Sequence, residues 1–357
     1  MRSGEVNKIN VGIVGLGTVA KEVHIPILST FRDVNIKSIA EVDVKRGRKT
    51  AKKWRISKVY ENYNKMYEDA ELDAVFICLP NILHYDAVKS ALEHDLHVFC
   101  EKPMGLNANE ALKLVKMARA KDLVLAVGYN RRLEKNYEHA AKIVNSFRLG
   151  RILQVHGVLV NPGPYASWMP SSDWFFRDKY GVLYDSGSHL VDLIMYVLSD
   201  EIVEVSAAGT STMYGLDVLD NIACVFKTEK GILGTFNAGW KIAVNHSSIQ
   251  VHGTGGSVFA DPLEIEVRYG SYGSLEKVVH HITSARKIIG SQVKRMGERK
   301  RPSETYFKED RAFIDAVLGK GKPLVSGKDA LRVLEVLGAM KESLEKKIEV
   351  KVEKHEL

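Results

Sequence analysis

The chain reads as an α/β protein in two parts. An N-terminal doubly wound parallel sheet is expected over 1–127, and an α+β part built on a large, mostly antiparallel open sheet over 128–357. Two contrasts along the 357 residues lead to this reading. Up to residue 127, short runs that are apolar on both faces alternate with stretches whose Ala, Leu and Val recur every three or four positions. Strands buried between two helical layers have that pattern. Beyond residue 128 the runs alternate apolar with polar, as strands with one exposed face do.

The predicted parallel strands are Ile9–Val14, Ile36–Ala40, Ala74–Leu79, Val98–Cys100 and Leu123–Val127, with helices over Val42–Trp54, Leu83–His94 and Asn107–Lys121. In the second part a helix is expected over Lys135–Phe147. Strands follow over Ile152–Val160, Val203–Gly209, Asn221–Lys227, Ile232–Ala238 and Ser248–Gly253, interrupted by a helix at Ser186–Leu198. Alternation is clearest where Ile222, Cys224 and Phe226 oppose Ala223 and Val225. Helices over Glu304–Leu318 and Lys328–Lys346 and a last strand in "IEVKVE" close the chain, while the basic stretch 286–301 reads as loop or weak helix.

Composition sets outer limits. With 45% hydrophobic and 27% charged residues the chain is ordinary globular protein. Its apolar runs, such as Ala74–Pro80, fall far short of the roughly 20 residues of a membrane span, and the first ten residues lack the apolar core of a signal peptide. Cys78, Cys100 and Cys224 each lie within an apolar run, which points to buried free thiols in a reducing cytosol; no cluster at metal-ligand spacing stands out, so no metal is expected. The net charge of +7 does not make a nucleic-acid binder, because acids are interspersed among the basic residues as on a solvated surface.

"NVGIVGLGTVA" places Gly15, Gly17 and Ala20 in a G-x-G-x-x-A pattern directly after the first strand. Gly15 allows the tight turn, Gly17 lets a pyrophosphate approach the backbone, and Ala20 packs helix on strand. The N–H groups where the helix opens, at Thr18 and Val19, then hold the phosphates. In this setting the pattern predicts a dinucleotide site of Rossmann type. Glu41 follows the second strand, 24 positions after Gly17, where an acid meets the adenosine ribose hydroxyls. A carboxylate there repels the extra phosphate of NADP, whereas Arg46 and Arg48 attract it. NAD is the expected cofactor and NADP the alternative; Glu41 as a mere strand cap stays open.

"VFCEKPM" (98–104) ends a buried strand and puts a glutamate, a lysine and a proline at its exit. In open α/β sheets ligands bind outside the carboxyl ends of the strands. Pro80 and Asn81 after one strand, and Glu101, Lys102 and Pro103 after the next, therefore belong to a ligand site, with Lys102 toward the reactive end of the cofactor. An exposed, salt-bridging lysine is the alternative. Further on, "LYDSGSHLVDLIMYVL" sets Asp185 and His189 four apart, on one face if helical geometry reaches Asp185. Otherwise Asp185 is an N-cap. The aromatic stretch 164–178 offers Trp168 or Trp174 to stack on a sugar or a base, or simply to pin a loop.

"GIVGLGTVA" with His24 and Pro26 after it, "LPNILH", "EKPM", "GYNRR" (128–132) and "DSGSHLVD" (185–192) together resemble the Gfo/Idh/MocA family of sugar oxidoreductases. The resemblance runs from the first strand to about residue 260, and 265–302 departs from the shorter members. It implies a cis peptide before Pro103 that sets the direction of Lys102. It also implies a nicotinamide site lined by Pro80, Asn81, His84, Glu101 and Lys102, and a D-x-x-x-H pattern of Asp185 and His189 that carries catalysis beside Lys102. Asp192 reads as structural, and Tyr129, Asn130 and Arg131 should face the substrate along with Trp174. A homo-dimer or homo-tetramer is implied as well.

The chemistry that follows is an NAD(P)-dependent dehydrogenation of a secondary hydroxyl on a sugar or cyclitol. His189 takes the proton, Lys102 steadies the oxygen, and Asp185 orients substrate or base. A nucleotide-sugar dehydrogenase of UDP-hexosamine type is the near alternative, with Arg286, Lys287, Lys294, Arg295, Arg299, Lys300 and Arg301 on the diphosphate or in a solvated loop. A non-catalytic NAD- and sugar-binding sensor is the alternative of another class.

Overall fold

The computed structural model describes residues 8–163, 176, 178–212, 217–270, 278–283 and 303–357. The chain divides into two compact units, Met1–Asn130 with Pro302–Leu334 and His355–Leu357, and Arg131–Arg301 with Glu335–Lys354.

The first unit is built on a parallel sheet of six strands, β1 (Ile9–Val14), β2 (Val34–Ala40), β3 (Lys58–Tyr60), β4 (Ala74–Ile77), β5 (His97–Cys100) and β6 (Leu125–Val127), in the order β3-β2-β1-β4-β5-β6. Helices α1 (Ile25–Leu28), α2 (Val44–Trp54), α3 (Tyr63–Asp69), α4 (His84–Glu93) and α5 (Ala108–Ala120) connect them. β1 pairs with β2 on one side and β4 on the other. The chain therefore reverses direction across the sheet there, and the carboxyl ends of β1 and β4 open the crevice in which such sheets hold ligands. Every residue of β4 is buried, as a strand covered on both faces requires.

Phe76 on β4 stacks on Phe99 on β5 at 4.7 Å, and Phe313 from α8 (Glu304–Val317) meets Phe76 edge-on at 5.2 Å. Phe313 and Ile314 thus complete the core under β1, β4 and β5. The segment after α8 ties on as well, where the Val127 N–H donates to the Val325 carbonyl. From sequence alone 302–334 falls with the second part, because nothing local to α8 says which sheet its apolar stripe will cover.

The second unit is a sheet of nine strands among the described residues: β7 (Ile152–Val160), β8 (Ile202–Thr210), β9 (Asn221–Thr228), β10 (Leu233–Gly239), β11 (His246–Gly253), β12 (Gly256–Ala260), β13 (Glu264–Tyr269), β14 (Val278–Thr283) and β15 (Val350–Lys351). Their order is β14-β13-β12-β11-β7-β10-β9-β8-β15, and only β7 and β10 pair in parallel. α6 (Lys135–Val144) and α7 (Ser188–Leu198) belong to this unit, as does the C-terminal part of α9 (Gly327–Lys346). Gly157 on β7 lets α7 close in, since a Cβ there would sit 2.9 Å from Leu190 and 3.0 Å from Ile194. On β9, Ile222, Cys224 and Phe226 are buried and Ala223 and Val225 exposed, as the alternation requires.

Candidate active site

The glycine loop is the first piece. Gly15 leaves β1 with φ +84, and a Cβ on it would lie 2.7 Å from the Cys78 carbonyl oxygen. Only glycine takes that conformation so close to another backbone. Gly17 is different: a Cβ there would meet nothing nearer than the Cys78 carbonyl at 3.8 Å. The protein's own packing does not demand glycine at 17, so the open space in front of it is available to a ligand. Helical conformation starts at residue 18, aiming the free N–H groups of the first turn at that space. This is the arrangement a dinucleotide pyrophosphate needs.

Glu41, nearly buried at the end of β2, ties the loop to its surroundings. One carboxylate oxygen accepts the Leu16 N–H at 2.8 Å; the other accepts the Asp43 N–H at 2.9 Å and the Arg46 guanidinium at 2.6 Å. The Glu41 carboxylate raises the Arg46 pKa further. Glu41 is thus more than a strand cap, and Arg46 is held to it. Asp43 takes the N-cap of α2, accepting the Arg46 N–H.

Around the exit of β5 the side chains interlock. The Lys102–Pro103 peptide is cis. His84 is fully buried, with Nδ1 2.6 Å from the Pro103 carbonyl and Nε2 2.7 Å from the Leu79 carbonyl, so it staples the ends of β4 and β5 together. Burial pushes its pKa down, against the pull of those two carbonyls. Glu101 accepts the Lys102 N–H on one oxygen at 3.2 Å and faces His24 Nε2 with the other at 3.1 Å. His24 Nδ1 in turn lies 2.9 Å from Asp310 on α8. Burial alone would lower the His24 pKa, but attraction to and hydrogen bonding with Asp310 and Glu101 outweigh it and raise it to about 10. Against burial, His24 and Lys102 hold the Glu101 carboxyl below its usual range. Asp310, pushed by burial and by the Glu101 charge, is raised. Burial also lifts the Cys78 and Cys100 thiols well above their ordinary value, which leaves them unreactive.

In the second unit the decisive stretch is 180–195. Every residue in it is buried except Asp185 and His189, which are half-buried. A π-helical turn over Leu183–Gly187 runs into α7. Helical geometry therefore does reach Asp185, and the two side chains share a face. Asp185 is not an N-cap; Val182 and Gly187 hold those positions. The fully buried Trp240 donates its indole N–H to Asp185 at 3.2 Å, and the Ser186 hydroxyl donates to the same oxygen at 3.3 Å. Arg132 grips the fully buried Asp192 through two hydrogen bonds of 2.8 and 2.5 Å, which fastens the chain at Arg132 to α7. Arg131 donates to Ser247 at 3.3 Å and lies 3.6 Å from Glu134.

Residues 9–129 match the family described as "Oxidoreductase family, NAD-binding Rossmann fold", and residues 137–259 match the GFO/IDH/MocA C-terminal domain. The chain belongs to the Gfo/Idh/MocA family. It is an oxidoreductase whose N-terminal domain binds NAD. Among its Gfo/Idh/MocA relatives is the myo-inositol 2-dehydrogenase of Thermotoga maritima, 27% identical over 97% of this chain and 99% of that protein. A levoglucosan dehydrogenase solved with NADH and L-sorbose superposes with a TM-score of 0.83 at 23% identity, covering 98% of this chain and 100% of that one. The scyllo-inositol dehydrogenase of Lactobacillus casei, solved with NAD(H) and scyllo-inositol, gives 0.77 at 22% over 97% and 99%. At those identities the two structures speak for the fold.

Within the Gfo/Idh/MocA fold the first unit brings together Gly15, Gly17, Thr18, Val19, Glu41 and Arg46 around the loop, and Pro80, Asn81, His84, Glu101 and Lys102 around the strand exits. Two expected ligand residues are placed differently. His84 spends both ring nitrogens on carbonyls, and Tyr129 is fully buried, because an aromatic body gains more from the core than from water. Trp168 and Trp174, and the basic stretch 286–301, lie outside the described residues. Sequence reading missed Asp310, Trp240 and the clamp role of Arg132. The second arginine of "GYNRR" was the one available signal for the clamp. Among the described residues no helix is long and apolar enough to cross a membrane.

Proposed function

We propose that the chain is an NAD-dependent dehydrogenase that oxidises a secondary hydroxyl of a sugar or cyclitol to the ketone. The observation that carries the reading is the exposure of Asp185 and His189 alone within the buried stretch 180–195. A titratable group that stays half-buried while its neighbours along the chain are sealed is placed for chemistry rather than for packing. The activity of the Thermotoga maritima relative, on myo-inositol, supports the substrate class.

Gly17, the N–H groups at Thr18 and Val19, and Glu41 would hold NAD, which supplies when bound an acceptor for the hydride leaving carbon. Pro80 and Asn81 would border its nicotinamide end. A His189 ring nitrogen takes the proton from the hydroxyl oxygen, the general-base role an imidazole can fill. The Lys102 ammonium donates a hydrogen bond to that oxygen and stabilises the charge developing on it. Asp185, fixed by Trp240 and Ser186, orients the substrate. Arg131 is a further substrate contact. Exposed Val225 and Leu233 on the open face of the second sheet support the homo-dimer or homo-tetramer expected from the family.

The test is a panel of inositols, free sugars and UDP-sugars with NAD and NADP in parallel, read by cofactor reduction. An inositol or free sugar should be the best substrate, with His189→Ala lowering kcat/KM by about 10²–10⁴-fold. Turnover confined to UDP-sugars would move the assignment to a nucleotide-sugar enzyme. Binding of a sugar with no turnover would make the protein a sensor, and wild-type turnover by His189→Ala would remove the proposed base.

A further inference from the structure

The fully buried His24 does no work in the scheme above, yet both of its ring nitrogens are engaged. Both ring nitrogens face carboxylates: Nδ1 lies 2.9 and 3.1 Å from the two Asp310 oxygens, and Nε2 lies 3.1 Å from Glu101. A neutral imidazole has one N–H and one lone pair. In either tautomer it would turn a lone pair toward a carboxylate, sealed from water. An imidazolium donates to both. Around it stand Phe76, Phe99 and Tyr306, at ring-centroid distances of 5.3 to 5.8 Å. The titratable or charged groups facing this cluster are Asp310 and Tyr306 from α8, Glu101 and Lys102 at the exit of β5, Cys100 on β5, and Cys78 after β4.

The cluster is connected to the proposed chemistry by one short path. Glu101 uses one oxygen on His24 and the other on the Lys102 N–H. Gly128 backs the carboxylate, since a Cβ there would come within 3.1 Å of it. A carboxylate gripped at both oxygens cannot swing, and neither can the peptide it holds.

We infer that His24 is a positioning residue: as an imidazolium clamped between Asp310 and Glu101, it fixes Glu101 and through it the backbone from which the Lys102 ammonium is aimed. This rests on the role given to Lys102 above. It also explains what α8 does in this unit beyond filling the core: it brings the counter-charge that keeps His24 protonated. The raised pKa agrees with the geometry.

Selective ring-15N histidine labelling of the whole protein tests the protonation directly, with His24→Gln assigning the resonance. At about pH 8, well above the ordinary imidazole value of about 6.5, both His24 nitrogens should carry protons. Asp310→Asn should return the ring to a neutral form at that pH. Displacing the amine should cost about 10²-fold in kcat for His24→Gln, with NADH affinity unchanged because the glycine loop is untouched. Asp310→Asn should lower kcat by an intermediate factor and make it fall toward high pH, which a purely structural histidine would not do. A neutral His24 in the wild type, or a folded His24→Gln protein with wild-type kcat, would overturn the inference. If His24→Gln does not fold, the wild-type spectrum and the Asp310→Asn pH profile decide alone. Full turnover by Lys102→Ala would overturn the reading underneath, and the 15N result would then separate that failure from failure of the clamp.

Discussion

Gly15→Ala and Gly17→Ala should separate folding from cofactor binding, because the two glycines face different neighbours. At Gly15 the backbone is left-handed, with φ +84, and a Cβ would approach the Cys78 carbonyl oxygen to 2.7 Å and Leu79 Cδ2 to 2.9 Å. A side chain in that conformation costs about 1–2 kcal/mol. The carbonyl belongs to the strand exit and cannot retreat like a flexible side chain, so total strain of about 2–4 kcal/mol is expected. That corresponds to a fall of roughly 5–15 °C in the Tm of the cofactor-free protein. At Gly17 the same methyl meets only an ordinary contact at 3.8 Å. Its effect on folding comes from the stiffer unfolded chain and is neutral or stabilising by about 0.4–1 kcal/mol. The methyl does fill the space held open for the pyrophosphate. Overpacking of that kind costs about 1–3 kcal/mol, or about 5- to 150-fold in the Kd for NADH. Scanning calorimetry without cofactor and titration calorimetry with NADH read the two effects apart. Wild-type NADH affinity in Gly17→Ala, or a loss of Tm as large as that of Gly15→Ala, would refute the reasoning.

Three more outcomes are expected. Glu41→Ala removes the acceptor for Leu16, Asp43 and Arg46 and releases that guanidinium; the Kd for NADH should rise about 10- to 100-fold and that for NADPH less, given about 1.5–3 kcal/mol for a charged hydrogen bond. Equal losses by calorimetry would confine Glu41 to holding the loop. Arg132→Ala leaves the Asp192 charge buried without its fork and should destabilise by about 3–5 kcal/mol, with the Arg132→Ala/Asp192→Ala double variant losing less than the sum; simple additivity in thermal melts would argue against a coupled pair. The His24 pKa is raised from 6.5 to about 10, so the folded form holds a proton the unfolded chain gives up. That stabilisation is complete below about 6.5, shrinks as pH rises, and is gone above about 10. The Tm of the cofactor-free protein should decline through this window and decline less in His24→Gln; a Tm that climbs there would contradict the sign.

The parallel sheet was readable because its information is local. β1, β4 and β5 are apolar on both faces, and the helices between them carry a stripe of their own. What escaped was short or decided at a distance. β3 has three residues and α3 seven, too few for a period to emerge. β12 and β13 are linked by tight turns and packed as a meander onto β11, and half of β13 is exposed or charged, so hydropathy alone does not mark it. α8 shows an amphipathic stripe as plainly as any helix. Its destination under Phe76 and Phe99 is a tertiary fact, settled by which apolar surface the first sheet leaves uncovered.

The site divides along the same line. Gly15, Gly17, Glu41 and Lys102 stand out as candidates because each follows a strand, and position after a strand is a sequence property. Asp185 and His189 stand out as candidates through their spacing and through the D-x-x-x-H pattern that the family resemblance implies, and the π-helical turn over Leu183–Gly187 carries helical geometry back to Asp185. The groups that hold these residues in place had no such mark. Asp310 is 286 positions from His24, and Trp240 is 55 from Asp185. Pairing at that separation follows from packing rather than from local preference. In the sequence of α8, Asp310 looks like any solvated acid until the fold buries it completely against an imidazole. Once buried, it has no inexpensive alternative: without His24 it would have to be protonated or expelled to water, and without it His24 would lose its charge. In the proposed clamp the mutual dependence of these two residues reaches the lysine at the exit of β5 through Glu101, so the stretch that contains the lysine is held from outside as well as from within.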